Sequence, residues 1–382
     1  MRVLIAHNRY RTTGGEERHI DLLEEGLGQE GIEIRRYEVA TPAEPSVLRR
    51  VALGAGMSYR PSSRRRIRPL LRDWSPDVVH VHNMLPLLTP SVLHEAHAQG
   101  AKVVLTAHNF RLFCPGGTLM RSGRSHDECV TGSSFMCGLR GSRDSRFESI
   151  AYGIAVAVQR RLRLIDRWVD AIVVPSEYLA STLRRAGFAQ ERIHVIRNGV
   201  HVNGWRPRER EYALYAGRLS HEKGIDDLLE AARLSQVPLR IAGDGPLSDR
   251  VRSAAHTGAV EYVGRLAPSE LAELRQRAAF VVVPSVCPEI SPFAALEAFA
   301  DGTPVISSTT GGLPEIVDDP QLGTTVPPHD PVALSHAMSE WWERRNDTDL
   351  GRAAWECASE RYDLMRQTRS ILRLYESVLG SS

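Results

Sequence analysis

Short, uninterrupted runs of apolar and β-branched residues recur along the chain, separated by stretches with helical periodicity. In the first half they are Val3-Leu4-Ile5-Ala6, Val78-Val79-His80-Val81, Val103-Val104-Leu105-Thr106 and Ala171-Ile172-Val173-Val174. Helical patterns such as Glu17 to Gln29 and Pro90 to Gln99 lie between them. A strand that is apolar on both sides must be covered on both sides, and crossover helices do this in a parallel sheet. A second series follows at Tyr212 to Ala216, Leu239 to Ala242, Val260 to Val263, Phe280 to Val283 and Val305 to Ser307. The alternation predicts two Rossmann-like α/β domains facing across a cleft. Residues 1–200 form the first, 201–361 the second, and 362–382 a helix returning to the first.

A length of 382 residues suits two domains of ordinary size, and 42% hydrophobic with 25% charged residues marks a soluble globular chain. A net charge of +2 gives no reason to expect a nucleic-acid partner. No apolar run is long enough to span a bilayer, and MRVLIAH is too short for a secretion signal, so cytosol is expected. Five cysteines, an odd number, argue against a disulfide scaffold. Of 48 basic residues only Lys102 and Lys223 are lysine, which makes the position of each worth inspecting.

Lys223 lies in Gly217-Arg218-Leu219-Ser220-His221-Glu222-Lys223-Gly224, where a strand stops and a helix from Ile225 begins. Two cations on such a turn can reach a diphosphate at the C-terminal sheet edge, Arg218 as a fork and Lys223 as a point charge. There they would neutralise a departing diphosphate, the task Mg²⁺ performs elsewhere. A solvated basic turn is the plainer alternative.

Glu289 and Glu297 flank a helix start. Ser291-Pro292 reads as N-cap and first helical residue, placing Glu289 on the loop before the helix and Glu297 about two turns inside. Carboxylates for hydroxyls beside free amides for a phosphate suit a ligand that is part sugar and part phosphate. Solvated glutamates on an ordinary helix are the alternative. Gly243-Asp244-Gly245-Pro246 reads best as a plain turn, while the backbone at Gly264-Arg265 can meet a nucleotide base. Gly14-Gly15 opens the first helix without the full G-x-G-x-x-G, which counts against a nicotinamide enzyme.

Taken in order, GR-x4-KG, the GDGP turn, VGRL, E-x7-E, EAFADGTPVISS and GGLPEIV resemble the retaining nucleotide-sugar glycosyltransferases of family 4. GGEE, DVVHVHN, Thr106-Ala107-His108-Asn109, VPSEY and IRNGV extend the likeness to the first half. The resemblance implies the GT-B fold and transfer of a hexosyl group from a UDP- or GDP-sugar to an acceptor hydroxyl. It implies no required cofactor and no catalytic metal. Arg218 and Lys223 would hold the diphosphate, Glu297 the ribose, and Glu289 the transferred sugar, helped by main-chain N–H groups of Ser291 and Phe293, with Ile290 and Pro292 also in the donor site. Gly14 and Gly15 would let backbone approach the phosphates, and His108 would sit beside the anomeric carbon. His82, Asn109 and Arg111 are acceptor candidates, and a lipid-linked acceptor would bring peripheral membrane contact. Pro292 replaces a glycine common in the family and cannot donate a hydrogen bond, so the donor sugar would sit differently. Two other readings remain: a nucleotide-sugar epimerase on the same architecture, and a sugar-nucleotide-binding protein without turnover.

Residues 113–149, rich in Gly, Ser, Arg and Cys, read as a functional or partly mobile insertion. Cys114, His126, Cys129 and Cys137 can make a Cys₃His zinc site, but free thiols are the preferred reading. Arg60, Arg64, Arg65, Arg66, Arg68 and Arg72 form a basic helical stretch, either solvated or facing an anionic lipid.

Overall fold

The computed structural model describes residues 1–9, 14–41, 54, 56–143, 145–256, 258 and 260–380. It separates into two compact units, one of residues 1–121, 126–197 and 367–382, the other of residues 122–125 and 198–366.

The main sheet of the first unit, among the described residues, holds six strands: β1 (Arg2–Arg9), β2 (Glu33–Ala40), β3 (Val78–Val81), β4 (Lys102–Thr106), β5 (Ala171–Val174) and β6 (Ile193–Val195). They lie in the order β2-β1-β3-β4-β5-β6, every pair parallel. β3 and β5 are buried along their whole length, as continuous apolar runs require. β2 escapes sequence reading because it is an edge strand: EIRRYEVA shows its charged side to solvent. Arg36 on that edge binds Asp21 and Glu24 of the helix Gly15–Gln29 at 2.8 and 2.6 Å.

The second unit repeats the plan with β7 (Tyr212–Ala216), β8 (Leu239–Ala242), β9 (Glu261–Gly264), β10 (Ala278–Val283), β11 (Val305–Ser308) and β12 (Gly323–Val326). Their order is β9-β8-β7-β10-β11-β12, again parallel throughout. Strand order therefore reverses between β7 and β10, and the two loops leaving their C-terminal ends diverge there. Such a switch point is where open α/β sheets bind ligands. Two apolar clusters, one around Leu228, Phe280 and Met338 and one around Leu296, Phe299 and Tyr362, cover this sheet.

The C-terminal helix Leu364–Gly380 gives Ile371, Leu374, Tyr375 and Val378 to the core of the first unit, beside Val3, Val78 and Val104. The 113–149 segment is more regular than expected. It carries short helices at Glu128–Thr131 and Ser134–Leu139, and the helix Arg146–Arg161 begins inside its C-terminal boundary. A further correction concerns the basic stretch. In the helix Pro61–Trp74, Arg64 and Arg68 turn onto the fully buried Glu95 of the helix Pro90–Ala98, Arg68 Nε at 2.7 Å. Those two arginines serve a buried carboxylate rather than a solvated or lipid-facing surface.

Candidate functional site

At the switch point of the second sheet, the loop leaving β7 tightens into a 3₁₀ turn, His221–Lys223, closed by Gly224 at φ 72°. A Cβ on Gly224 would stand 1.9 Å from the Pro284 carbonyl oxygen, so only glycine lets this turn meet the loop leaving β10. Amides of Val286 and Cys287 then donate to the Glu222 carbonyl at 3.0 and 3.2 Å. These contacts bring Lys223 Nζ to 2.5 Å from Glu289 Oε1, which also accepts from Ser285 Oγ at 2.6 Å.

The Glu289 backbone is held as firmly as its side chain. Its carbonyl accepts from the Gly312 amide at 2.7 Å, with Gly311 at φ 63° and no room for a Cβ beside it. Ser308 and Thr310 hydroxyls donate to the Ser285 carbonyl at 2.5 and 3.1 Å. Burial pulls the Lys223 ammonium down, but the Glu289 carboxylate outweighs it and holds the lysine above its ordinary value. The neighbouring Cys287 thiol is pushed up to about 12, by burial first and then by Glu289, so it is no nucleophile at neutral pH.

Glu297 stands apart from that pair. The helix begins at Phe293, with Pro292 in the N-cap position at φ −71° and ψ 126°, so Glu297 lies about one turn inside rather than two. Ser291 does not cap, because Pro292 keeps an extended ψ of 126° and the helix opens one residue later, at Phe293. Arg275, 8% exposed, donates Nη1 to Glu297 Oε2 at 2.9 Å and Nε to Asp301 Oδ2 at 2.8 Å. Arg275 was not legible as a site residue, because ELAELRQR scans as a solvent-facing helix. Arg218 and Arg265 are exposed on their turns, whereas the Ile290 side chain is buried, leaving main chain as what it can offer a ligand. The Gly264 carbonyl accepts from the Gly243 amide at 2.8 Å.

In the first unit, the residues after β3 and β4 build a histidine cluster. His82 Nδ1 is 2.9 Å from His108 Nε2, one donating and the other accepting, and their rings stack with centroids 5.2 Å apart. His19 meets the His108 ring at 4.7 Å, and His80 meets His82 at 4.3 Å. Burial, then the other imidazoles, keeps His82 and His108 well below the usual histidine range, so both are neutral. His80 is pushed down to about 3 by burial, and its ring nitrogens bond the hydroxyls of Tyr375 and Thr106 at 2.6 and 2.7 Å. One lies on a helix, one on β3 and two in the loops after β3 and β4, and this spread along the chain hid the cluster from sequence reading.

Two expected contacts are committed elsewhere. Asn109 Oδ1 accepts from the Arg111 amide at 3.0 Å, which shapes the turn instead of facing outward. The Gly14 amide donates to Glu17 Oε2 at 2.8 Å in a capping box, while Gly15 opens the helix. Burial pushes the Arg111 guanidinium down to about 10. Against the expectation of free thiols, Cys129 and Cys137 are placed as a disulfide pair with Cα atoms 6.2 Å apart.

Two parallel six-stranded sheets, with a cation–carboxylate pair at the switch point of the second, define a GT-B protein. The family profile described as Glycosyltransferase Family 4 matches residues 13–203, and that of Glycosyl transferases group 1 matches residues 210–344. The chain belongs to glycosyltransferase family 4. Glycogen synthase of Mycobacterium tuberculosis is 30% identical over 289 residues, 70% of this chain and 60% of that protein. The chain thus spans about 60% of the length of that relative. Phosphatidyl-myo-inositol mannosyltransferase of Mycobacterium leprae is 27% identical over 409 residues, 99% of this chain and 97% of its own. Among solved structures, Anabaena HepE in complex with UDP-glucose superposes with TM-score 0.69 at 16% identity, covering 99% of this chain and 100% of that one.

Proposed function

We propose that the chain is a glycosyltransferase that moves a hexosyl group from a nucleotide-diphosphate sugar to an acceptor hydroxyl, with retention at the anomeric carbon. The observation that carries this reading is the Lys223–Glu289 pair at the β7/β10 switch point. A carboxylate that already accepts two hydrogen bonds is aimed and largely desolvated before any ligand arrives. An entering diphosphate competes for Lys223, since a dianion attracts an ammonium more strongly than one carboxylate does. Glu289, still oriented by Ser285, then meets the sugar hydroxyls. Arg218, exposed on the same turn, adds a fork for the phosphate oxygens.

Lys223 and Arg218 together neutralise the leaving diphosphate, so the reaction asks for no catalytic metal. Glu297, aimed by Arg275, takes the ribose hydroxyls, and the main chain at Gly264-Arg265 borders the base. The acceptor proton passes to the leaving phosphate, which fits a site where Cys287 is a neutral thiol. UDP is the preferred nucleotide, since a UDP-glucose complex exists for a protein of this fold. Family relatives that act on phosphatidylinositol or glycogen leave both lipid-linked and glycan acceptors in view.

A thermal-shift panel of UDP-, GDP-, ADP- and TDP-sugars tests the donor assignment, because a ligand that binds only the native state raises Tm. One nucleotide sugar is expected to stabilise the wild type, with the shift lost in Lys223→Ala. Turnover of that donor should fall by about two to three orders of magnitude in the same variant. Near-normal turnover in Lys223→Ala, or no stabilisation by any of the four donors, overturns the reading.

A further inference from the structure

Four side chains in the 113–149 segment converge without a role in glycosyl transfer. The sulfurs of Cys114, Cys129 and Cys137 and one ring nitrogen of His126 all lie within 4.8 Å of one another. In a tetrahedral zinc site with Zn–S near 2.3 Å, ligand atoms stand about 3.8 Å apart, so the wider pairs must close in and the paired sulfurs of Cys129 and Cys137 must part. We propose that Cys114, Cys129, Cys137 and His126 bind one structural Zn²⁺ that fixes the loop following His108.

Two further observations support this assignment. The three cysteines are buried, at 1%, 0% and 1% exposure, where metal-bound thiolate is excluded from solvent. Both ring nitrogens of His126 are also buried, yet neither has a hydrogen-bond partner in the structure. A buried imidazole normally satisfies at least one nitrogen, and a metal would do so here.

Arg160 fixes the backbone beside the cluster, donating to the carbonyls of Cys129 and Val130 at 2.8 and 3.0 Å. The segment is built of short pieces, the strands Met120–Arg121 and Arg124–Ser125 and two short helices, and the Phe110 carbonyl of the preceding turn accepts from the Cys114 amide at 2.7 Å. A metal staple at Cys114 thus acts six residues from His108.

A Cys129–Cys137 disulfide uses two of the same sulfurs, so the two arrangements exclude each other. The experiment is metal and thiol analysis of the full chain, purified with zinc and reductant and then dialysed free of both. About one zinc per chain is expected, with all five cysteines titrating as thiols in denaturant plus chelator. Cys137→Ser and His126→Ala should bring zinc to background, and His126→Cys should restore it as a Cys₄ site. If the variants fail to fold, stepwise mercurial titration of the wild type should release zinc in step with thiol loss. Zinc at background with only Cys114, Cys287 and Cys357 titrating would establish the disulfide and overturn the proposal. Zinc retained in Cys137→Ser, or released without thiol modification, would place the metal elsewhere and overturn it equally.

Discussion

His80 shows what a single side chain records about its surroundings. Its two nitrogens are spent on the hydroxyls of Tyr375 and Thr106, so protonation would break a bond and bury a charge. With the folded-state value near 3 and the ordinary value 6.5, the unfolded chain takes up the proton first as pH falls. His80 therefore contributes stability that is complete above about pH 6.5 and is lost progressively toward pH 3. NMR titration of the imidazole C–H signals should show His80 neutral at pH 5, and a midpoint near 6.5 would contradict this placement. The same scale governs Glu297. Arg275→Ala should weaken donor binding about tenfold with little change in turnover, because it leaves the carboxylate present but unaimed. Equal loss in kcat and KM would assign Arg275 to folding instead.

Between elements, polar groups decide what apolar stripes leave open. The helices Pro61–Trp74 and Pro90–Ala98 meet through Arg64, Arg68 and the fully buried Glu95. Hydrogen bonding from Arg68, opposed by burial and joined by Arg64, draws the Glu95 carboxyl down to about 2 from an ordinary 4.5. The lowered value means this contribution is present above pH 4.5 and is lost as pH falls toward 2. Glu95→Gln should cost about 2 kcal/mol at neutral pH in urea unfolding, with the cost shrinking in acid. A cost independent of pH would show that packing alone is affected. Arg64 and Arg68 of the basic stretch are committed in this way, and a run of arginines does not reveal which of them faces a buried acid.

Across the molecule, the last seventeen-residue helix is as much a part of the first unit as any strand. Ile371, Tyr375 and Val378 pack among strand residues more than 190 positions away in sequence, and Thr368 sits against Gly26. Tyr375→Ala should destabilise that unit by about 3–5 kcal/mol, combining lost burial with an unpaired His80. Hydrogen exchange should then show lost protection in β1, β3 and β4 while β7 and β10 remain protected. Uniform protection in all five strands would deny the helix its place in that core. Among the described residues no helix is long and apolar enough to cross a membrane.

Strand identity was written in the sequence wherever a strand is buried on both faces, because only continuous apolar runs satisfy that environment. Tyr212 to Ala216 and Leu239 to Ala242 were legible to the residue for this reason. The charged edge strand Glu33–Ala40 was not, since half its surface meets water. Local chemistry also named Lys223 and Glu289 as candidates, through a glycine turn and a proline-bounded helix start. Their contact was decided by the fold alone: strand order places β7 beside β10 although 61 residues separate Ala216 from Ala278. Arg275 on Glu297, His19 on His108 and the four side chains from Cys114 to Cys137 share that origin. Spacing along a chain constrains what neighbours in one helix or strand can reach, whereas partners across elements are set by which surfaces must be buried together.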